Sequence, residues 1–375
     1  MHPATICSYY PNYAILDEIL SQSEYKNLNI YIDLKNVMQS LYLKHAVTYI
    51  VENSKNTKYP DTSIFLSLLM YFSFHKKYAL KRNVKVNFYV FFESGKSYYH
   101  LNIDKNYKKS RVISDLFDLG IEGTELFFEV MNKNYSLIGQ AFNRMPNIKI
   151  IRMFNLEADF IPYYLYRNEL VDTSDDTAHV IYSTDHDLFQ CIRKNVFAFL
   201  KYPKKKKILK QNEVMKHFFK KNVKMPDTYL PFAMSIIGDP GDDVTGIKGI
   251  GGSRFIDASV QLNRLIGGIG NLYNNVFNSK PIFDLSKVKL PNKYTRKVVE
   301  HEEKEGLVSK NLKLTSFELI SRALDNPSST EMLEKRKRIY EIMMTENEII
   351  NKESMYNALQ NVGVMLSDEL DILYY

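Results

Sequence analysis

The stretch Ile236–Phe255, IIGDPGDDVTGIKGIGGSRF, sets three aspartates (Asp239, Asp242, Asp243) directly ahead of a turn containing Gly246, Gly249, Gly251 and Gly252. Glycine lets backbone N–H groups approach a phosphate closely, and a helix starting just behind such a turn adds the positive end of its dipole. A turn of this kind grips a nucleic-acid backbone without reading its sequence. Aspartates beside a phosphate are repelled by it unless a cation stands between them. The pairing predicts a phosphate-gripping hairpin beside a cation-binding centre, whose remaining ligands must come from elsewhere in the chain.

Working outward, β-rich apolar runs recur at residues 29–34 (NIYIDL), 85–92 (KVNFYVFF), 149–154 (KIIRMF), 178–184 (AHVIYST) and 196–202 (VFAFLKY). Near-continuous apolar strands suit a parallel sheet covered on both faces, and segments such as 64–80 are long enough for crossover helices. Each of the first four runs is followed by acid: Asp33 near the end of the first, Glu93 after the second, Glu157 and Asp159 after the third, Asp185 and Asp187 after the fourth. Functional groups of open parallel sheets gather beyond the carboxyl ends of the strands, so these side chains should meet at one rim. Two carboxylates about 4 Å apart repel by roughly 4 kcal/mol at an effective dielectric near 20, so such a cluster requires cations. Oxygen-only ligands suit Mg²⁺, with Mn²⁺ as a substitute, rather than zinc, and two such ions can hydrolyse a phosphodiester. A single Asp after a strand is ordinarily a cap or turn residue, as TSDD at 173–176 reads. The recurrence, with Asp239 and Asp242 as a further pair, points to metal.

The chain of 375 residues has room for one large domain and a smaller one, and its formal net charge of +7 suits a polyanionic partner. No apolar run reaches the roughly 18 residues of a membrane span, and the N-terminus lacks the pattern of a signal peptide. The two cysteines, Cys7 and Cys191, form neither a CxxC pair nor a disulfide framework. A cytoplasmic protein without membrane association is expected.

Other features bear on a nucleic-acid partner. Between Glu93 and Arg111 stand Lys96, Tyr98, Tyr99, His100, Lys105, Tyr107, Lys108 and Lys109. Cations interleaved with aromatics suit a single strand, and the spacing of Lys108 and Arg111 puts them on one helical face. Lys204–Lys207 reads first as a solvated loop and second as a contact to duplex phosphates, and His75, His179 and His186 read as structural or exposed. From about Leu290 onward the chain is strongly charged and reads as surface helices.

These blocks together resemble the 5′-nuclease family: flap endonucleases, phage 5′-exonucleases and the 5′-nuclease domain of bacterial DNA polymerase I. GDPGDDVTGIKGIGGSRF is similar to the signature GDxxDNxxGxxGIGxKxA. In chain order, YIDLKN at 31–36, FFESG at 91–95, YKKSR at 107–111, NLEADF at 155–160 and YSTDHDLFQ at 182–190 resemble the family's other blocks. The resemblance covers about residues 29–255. It implies a PIN-like (resolvase-like) α/β domain with a mostly parallel central sheet over residues 1–224, including a helical arch at about 94–130. A helix–hairpin–helix (helix–three-turn–helix) DNA-binding region at 225–290 and a charged, mainly helical region at 291–375 would follow.

Carried over by residue, the resemblance implies one metal site at Asp33, Glu93, Glu157 and Asp159, and a second at Asp185, Asp187, Asp239 and Asp242. Lys108 and Arg111 would act on the scissile phosphate beside the catalytic Asp33, Asp185 and Asp187. Lys96, Tyr107, Lys108, Arg111, Gly246, Gly249, Gly251, Gly252 and Arg254 would contact DNA, with K⁺ at the hairpin. The implied activity is structure-specific cleavage of DNA at 5′ ends, flaps or junctions, extending to RNA–DNA hybrids at primers. The resemblance also implies a monomer, replication proteins as partners, and host cytoplasm or nucleoid as the setting of a phage or viral member. Departures are Glu93 for the usual Asp, Phe160 for a second Asp, His100 for an arch arginine, Asp243 for Asn, and Ser253–Arg254 for the Lys-containing step. They leave open a catalytically impaired junction-binding protein. An RNA nuclease related to small single-domain toxins is a third reading, against which the hairpin counts.

Overall fold

The computed structural model describes residues 13–21, 24–34, 62–109, 141–183, 185–202, 205–223, 225–286, 292–345, 350–361 and 367–374, together with the single positions 122, 135 and 139. Six strands form one sheet: β1 (Asn27–Asp33), β2 (Lys85–Ser94), β3 (Ile148–Phe154), β4 (Thr177–Tyr182), β5 (Val196–Tyr202) and β6 (Lys205–Leu209). Their spatial order is β3-β2-β1-β4-β5-β6, parallel throughout except for β6, which runs antiparallel to β5 at the edge. The order turns back on itself at β1, where an open parallel sheet places its functional crevice. A mostly parallel α/β fold is what the apolar runs predict.

The continuity of those runs follows from burial on both faces. Along β1 and β2, Ile30, Ile32, Phe88 and Val90 enter one core, while Tyr31, Tyr89 and Phe91 enter the core on the opposite face. The first face is covered by α1 (Tyr13–Leu20) and the long crossover α2 (Thr62–Lys81), through Leu16, Ile19, Leu69 and Phe72. His75 of α2 is fully buried, bonds the Tyr71 carbonyl at 2.8 Å and the Tyr182 hydroxyl at 2.9 Å, and its pKa falls to about 4 because burial disfavours the cation. His179 of β4 is also buried, 2.9 Å from the Tyr31 hydroxyl. Both histidines are packing residues.

A short α3 (Tyr98–Ile103) follows β2, and α4 (Ile161–Arg167) follows β3. Phe160 precedes α4 and is buried in the second core with Tyr164 and Leu165, so at this position the chain fills its interior with a ring. The helical part comprises α5 (Val214–Phe219), α6 (Leu230–Ile237), α7 (Gly252–Ile266), α8 (Ile269–Phe277), α9 (Lys293–Glu305), α10 (Leu307–Thr315), α11 (Phe317–Asp325), α12 (Thr330–Met344), α13 (Lys352–Asn361) and α14 (Ser367–Tyr374).

The expectation that the charged C-terminal stretch forms surface helices is corrected. Met355 and Leu359 of α13 and Leu373 of α14 lie in the same core as Ile30 and Phe88 of the sheet. Ile320, Met332 and Ile339 of α11 and α12 lie in the core of the other face. The charges occupy the outer sides of helices whose apolar stripes close both faces of the sheet.

Candidate metal and nucleic-acid site

Asp33 closes β1, opposite Phe91 of β2, and Glu93 stands near the end of β2, opposite Met153 of β3. Asn155 ends β3 at φ +53°, the left-handed conformation that asparagine tolerates better than most residues. The chain then turns so that Glu157 and Asp159 follow within one loop. Beyond β4, the Ser183 hydroxyl lies 3.3 Å from Asp33 Oδ2 and accepts the Asp185 amide at 3.1 Å. Asp185 Oδ1 in turn accepts the Asp187 amide at 3.0 Å. The remaining acids come from the loop after α6: Asp239 and Val244 exchange backbone bonds at 2.9 Å, and Asp239 Oδ1 accepts the Gly241 amide at 2.9 Å.

Electrostatics shows which carboxylates converge. Burial, then the charges of Asp33, Asp185, Glu93 and Glu157, push the Asp159 carboxyl well above its ordinary range. Burial, then Asp185, Asp242 and Asp239, do the same to Asp187. Asp239 is raised by burial and by Asp242. Acids from five separate segments therefore share one rim, as their positions after the strands predict, with Asp185 acting on both groups. Oxygens of Asp187, Asp239 and Asp242 lie within 4.8 Å of one another. Asp187 Oδ1 is sealed from solvent with no hydrogen-bond partner among the described residues, an arrangement that is costly unless a cation satisfies it.

Tyr107 and Lys108 depart from the expected arch helix. Lys108 lies in a turn at φ +53°, not on a helical face, and its amide donates to the Asp242 carbonyl at 3.1 Å. Its ammonium pairs with Glu157 and, at 3.1 Å, with Asp242. Tyr107, expected to touch nucleic acid, is buried, and its hydroxyl lies 2.9 Å from both Glu157 Oε2 and Asp242 Oδ2. The two residues thus link the two carboxylate groups. Charge–aromatic interleaving gives no signal for that role, because it does not distinguish an exposed ring from a buried one.

His100 is likewise not a surface cation. It is fully buried, stacked on Tyr107 with ring centroids 4.6 Å apart, 2.6 Å from the Ser97 hydroxyl and 3.1 Å from the Leu314 carbonyl. Burial lowers its pKa, so the neutral ring is favoured. Tyr135, which no sequence pattern singles out, packs on Phe92 with centroids 5.0 Å apart; its hydroxyl is raised in pKa by burial and by Glu93 and Asp33. Lys96 is exposed just beyond β2. Arg111, with most of the expected arch, lies outside the described residues.

The glycine turn continues directly from the acidic loop. Gly238 and Gly246 pass backbone to backbone: a Cβ on Gly246 would lie 1.9 Å from the Ile237 carbonyl oxygen, so no side chain fits. Gly246, Gly249, Gly251, Gly252 and Arg254 line an open groove of about 470 Å³, and α7 starts at Gly252 with its amide end towards the turn. Arg254 donates to the Gly249 carbonyl and Lys297 to the Lys248 carbonyl. Asp243 adopts φ +58°, a conformation open to Asp as well as Asn, which accounts for the exchange at this position.

No protein-family model matches the chain, and neither does any curated protein. Solved structures do. The bacteriophage T5 flap endonuclease in a pseudo-enzyme–product complex with DNA and metal ions aligns over 85% of this chain and 100% of its own, at 20% identity and TM-score 0.54. The same phage protein co-crystallised with metal ions gives 84%, 99%, 20% and 0.55. T5 5′-exonuclease with divalent zinc bound gives 84%, 99%, 20% and 0.54. With its sheet order, rim of acids and glycine turn, the chain has the fold of these 5′-nuclease structures.

Proposed function

We propose that this protein is a divalent-metal-dependent 5′-nuclease that hydrolyses DNA phosphodiesters at 5′ ends, flaps or junctions. The observation that carries the reading is the convergence of eight acidic residues from five segments on one rim, with a sealed Asp187 oxygen that has no hydrogen-bond partner among the described residues. The donor set is all oxygen, which fits Mg²⁺, with Mn²⁺ as a substitute. Asp33, Glu93, Glu157 and Asp159 would hold one ion; Asp187, Asp239 and Asp242 would hold another, with Asp185 between. Bound there, the ions would lower the pKa of water and stabilise charge on the departing oxygen.

The chain's own residues set the geometry. Tyr107 and Lys108 hold Glu157 to Asp242 and so keep the two carboxylate groups in register. The glycine turn, one short loop from Asp239 and Asp242, grips a duplex backbone and presents the adjoining strand to the rim. The T5 structures, one of them in complex with DNA and metal ions, support this reading by their shared fold. Primer RNA in a hybrid would offer the turn the same phosphates, differing by its 2′-hydroxyls and helix form. The impaired-enzyme reading loses ground: Glu93 lies among the converging acids, and Phe160 is a core residue.

Purified protein should cut a labelled 5′-flap with Mg²⁺ and not with chelator. An Asp185→Ala, Asp187→Ala variant should lose more than about a hundredfold in rate, since changes merely behind metal ligands already cost 10–100-fold. Undiminished cutting by that variant would remove these residues from the chemistry; tight flap binding without turnover under Mg²⁺ or Mn²⁺ would select the junction-binding reading.

A further inference from the structure

A second recess borders the segment after β4 that carries Asp185 and Asp187. It encloses about 570 Å³ and is lined by Lys207 of β6, by Lys216 and His217 of α5 and by Lys220 just beyond it, with His186 at its inner end. His186, the residue between Asp185 and Asp187 in the chain, brings its ring within 6.4 Å of the His217 ring, so the recess borders the segment that carries those carboxylates. Its single acidic residue, Glu213, is engaged by Lys207 at 2.8 Å. Lys216 and Lys220 are exposed and have no carboxylate partner among the described residues. Lys220 is held outward by a left-handed turn at φ +54°.

The C-terminal end of α5, next to Lys220, meets the glycine turn. Lys221 donates to the Ser253 hydroxyl at 2.8 Å, and a Cβ on Gly252 would lie 3.0 Å from the Phe219 ring. The cations therefore run as a row from the hairpin groove along α5 towards His186, the neighbour of Asp185 and Asp187. A row spaced along one edge matches a chain of phosphates better than it matches one small anion.

We propose that Lys216 and Lys220 are a phosphate-binding track for a DNA backbone, joining the hairpin grip to the carboxylate rim. The proposal rests on the nuclease reading above. The track positions the duplex and takes no part in chemistry, so its loss weakens binding without removing the metal ligands. Each phosphate-bound cation removed should lower the slope of log affinity against log salt by about 1.

The test is equilibrium binding of a labelled 5′-flap duplex over a salt series, with Ca²⁺ replacing Mg²⁺. Lys216→Glu, Lys220→Glu is compared with Lys77→Glu, Lys81→Glu, which imposes the same charge change on α2. The track predicts a slope reduced by about 2 and affinity at least roughly tenfold lower for the first variant, with the control near wild type. Equal losses in the two variants, or none in the first, overturn the track while the nuclease reading stands. Wild-type protein that fails to bind the flap at all overturns both.

Discussion

Lys108 places one positive charge between Glu157 and Asp242, where eight acids would otherwise face each other with little to hold them. Lys108→Met should therefore lower the unfolding free energy in chelator by about 1–2 kcal/mol given partial exposure, read as a lower Tm, and enlarge the Tm rise on adding Mg²⁺. No change in either would show that the ammonium does not balance the cluster. Asp187 and Asp159 act in the opposite sense. Burial and like charges raise their pKa above the unfolded value, so their contribution to stability is present at low pH and is lost as pH rises through the raised pKa. Asp187→Asn should raise Tm in chelator at neutral pH and shrink the Mg²⁺-induced increase; calorimetry with and without the ion checks both. His75 runs the other way: with a folded pKa of about 4 against 6.5 unfolded, its contribution is present above pH 6.5 and lost as pH falls towards 4. His75→Gln should flatten that part of the Tm–pH curve. Six of the acids stand out in the sequence because they close or follow strands, and Asp239 and Asp242 because they lead into the glycine turn. Tyr107 and His100 are not, since only packing decides whether a ring stacked beside a cation meets solvent.

The loop from Gly238 to Gly246 shows how an element can be read from its glycines. The backbone crossing at Ile237 and Gly246 leaves no room for a side chain, and Gly238 at φ +86° is equally constrained. Gly246→Ala should push the acidic loop away from Asp187, with metal affinity falling at least tenfold by titration calorimetry; unchanged affinity would show that the loop tolerates the shift. The sequence also shows a turn leading into a helix, and α7 begins at Gly252 as such a turn requires. The segment after β2 reads as helix through Lys108 because its lysine and arginine spacing fits one helical face. The left-handed Lys108 and its backbone bond to Asp242 terminate that pattern, and nothing within the segment signals a partner more than a hundred residues away.

At the scale of the whole chain, the parallel sheet is legible and the role of the last third is not. Charge dominates that stretch, while its apolar positions are sparse and spread over several helices; only their assembly shows that they seal the sheet. Leu373 is fully buried against it, so Leu373→Ala should cost about 2–4 kcal/mol, read as a lower denaturant midpoint with unchanged slope. The same region reaches the acidic loops by side-chain bonds: Asn311 of α10 donates to the Ser235 and Thr245 carbonyls at 2.9 and 2.8 Å. Gln190, three residues past Asp187, donates to the Thr315 carbonyl at 2.7 Å and accepts from the Phe317 amide at 3.2 Å. Both ends of that one amide are thereby committed to the kink between two distant helices. Those helices are moored three residues from Asp187, and the polypeptide's last third braces an acidic rim to which it adds no carboxylate of the eight.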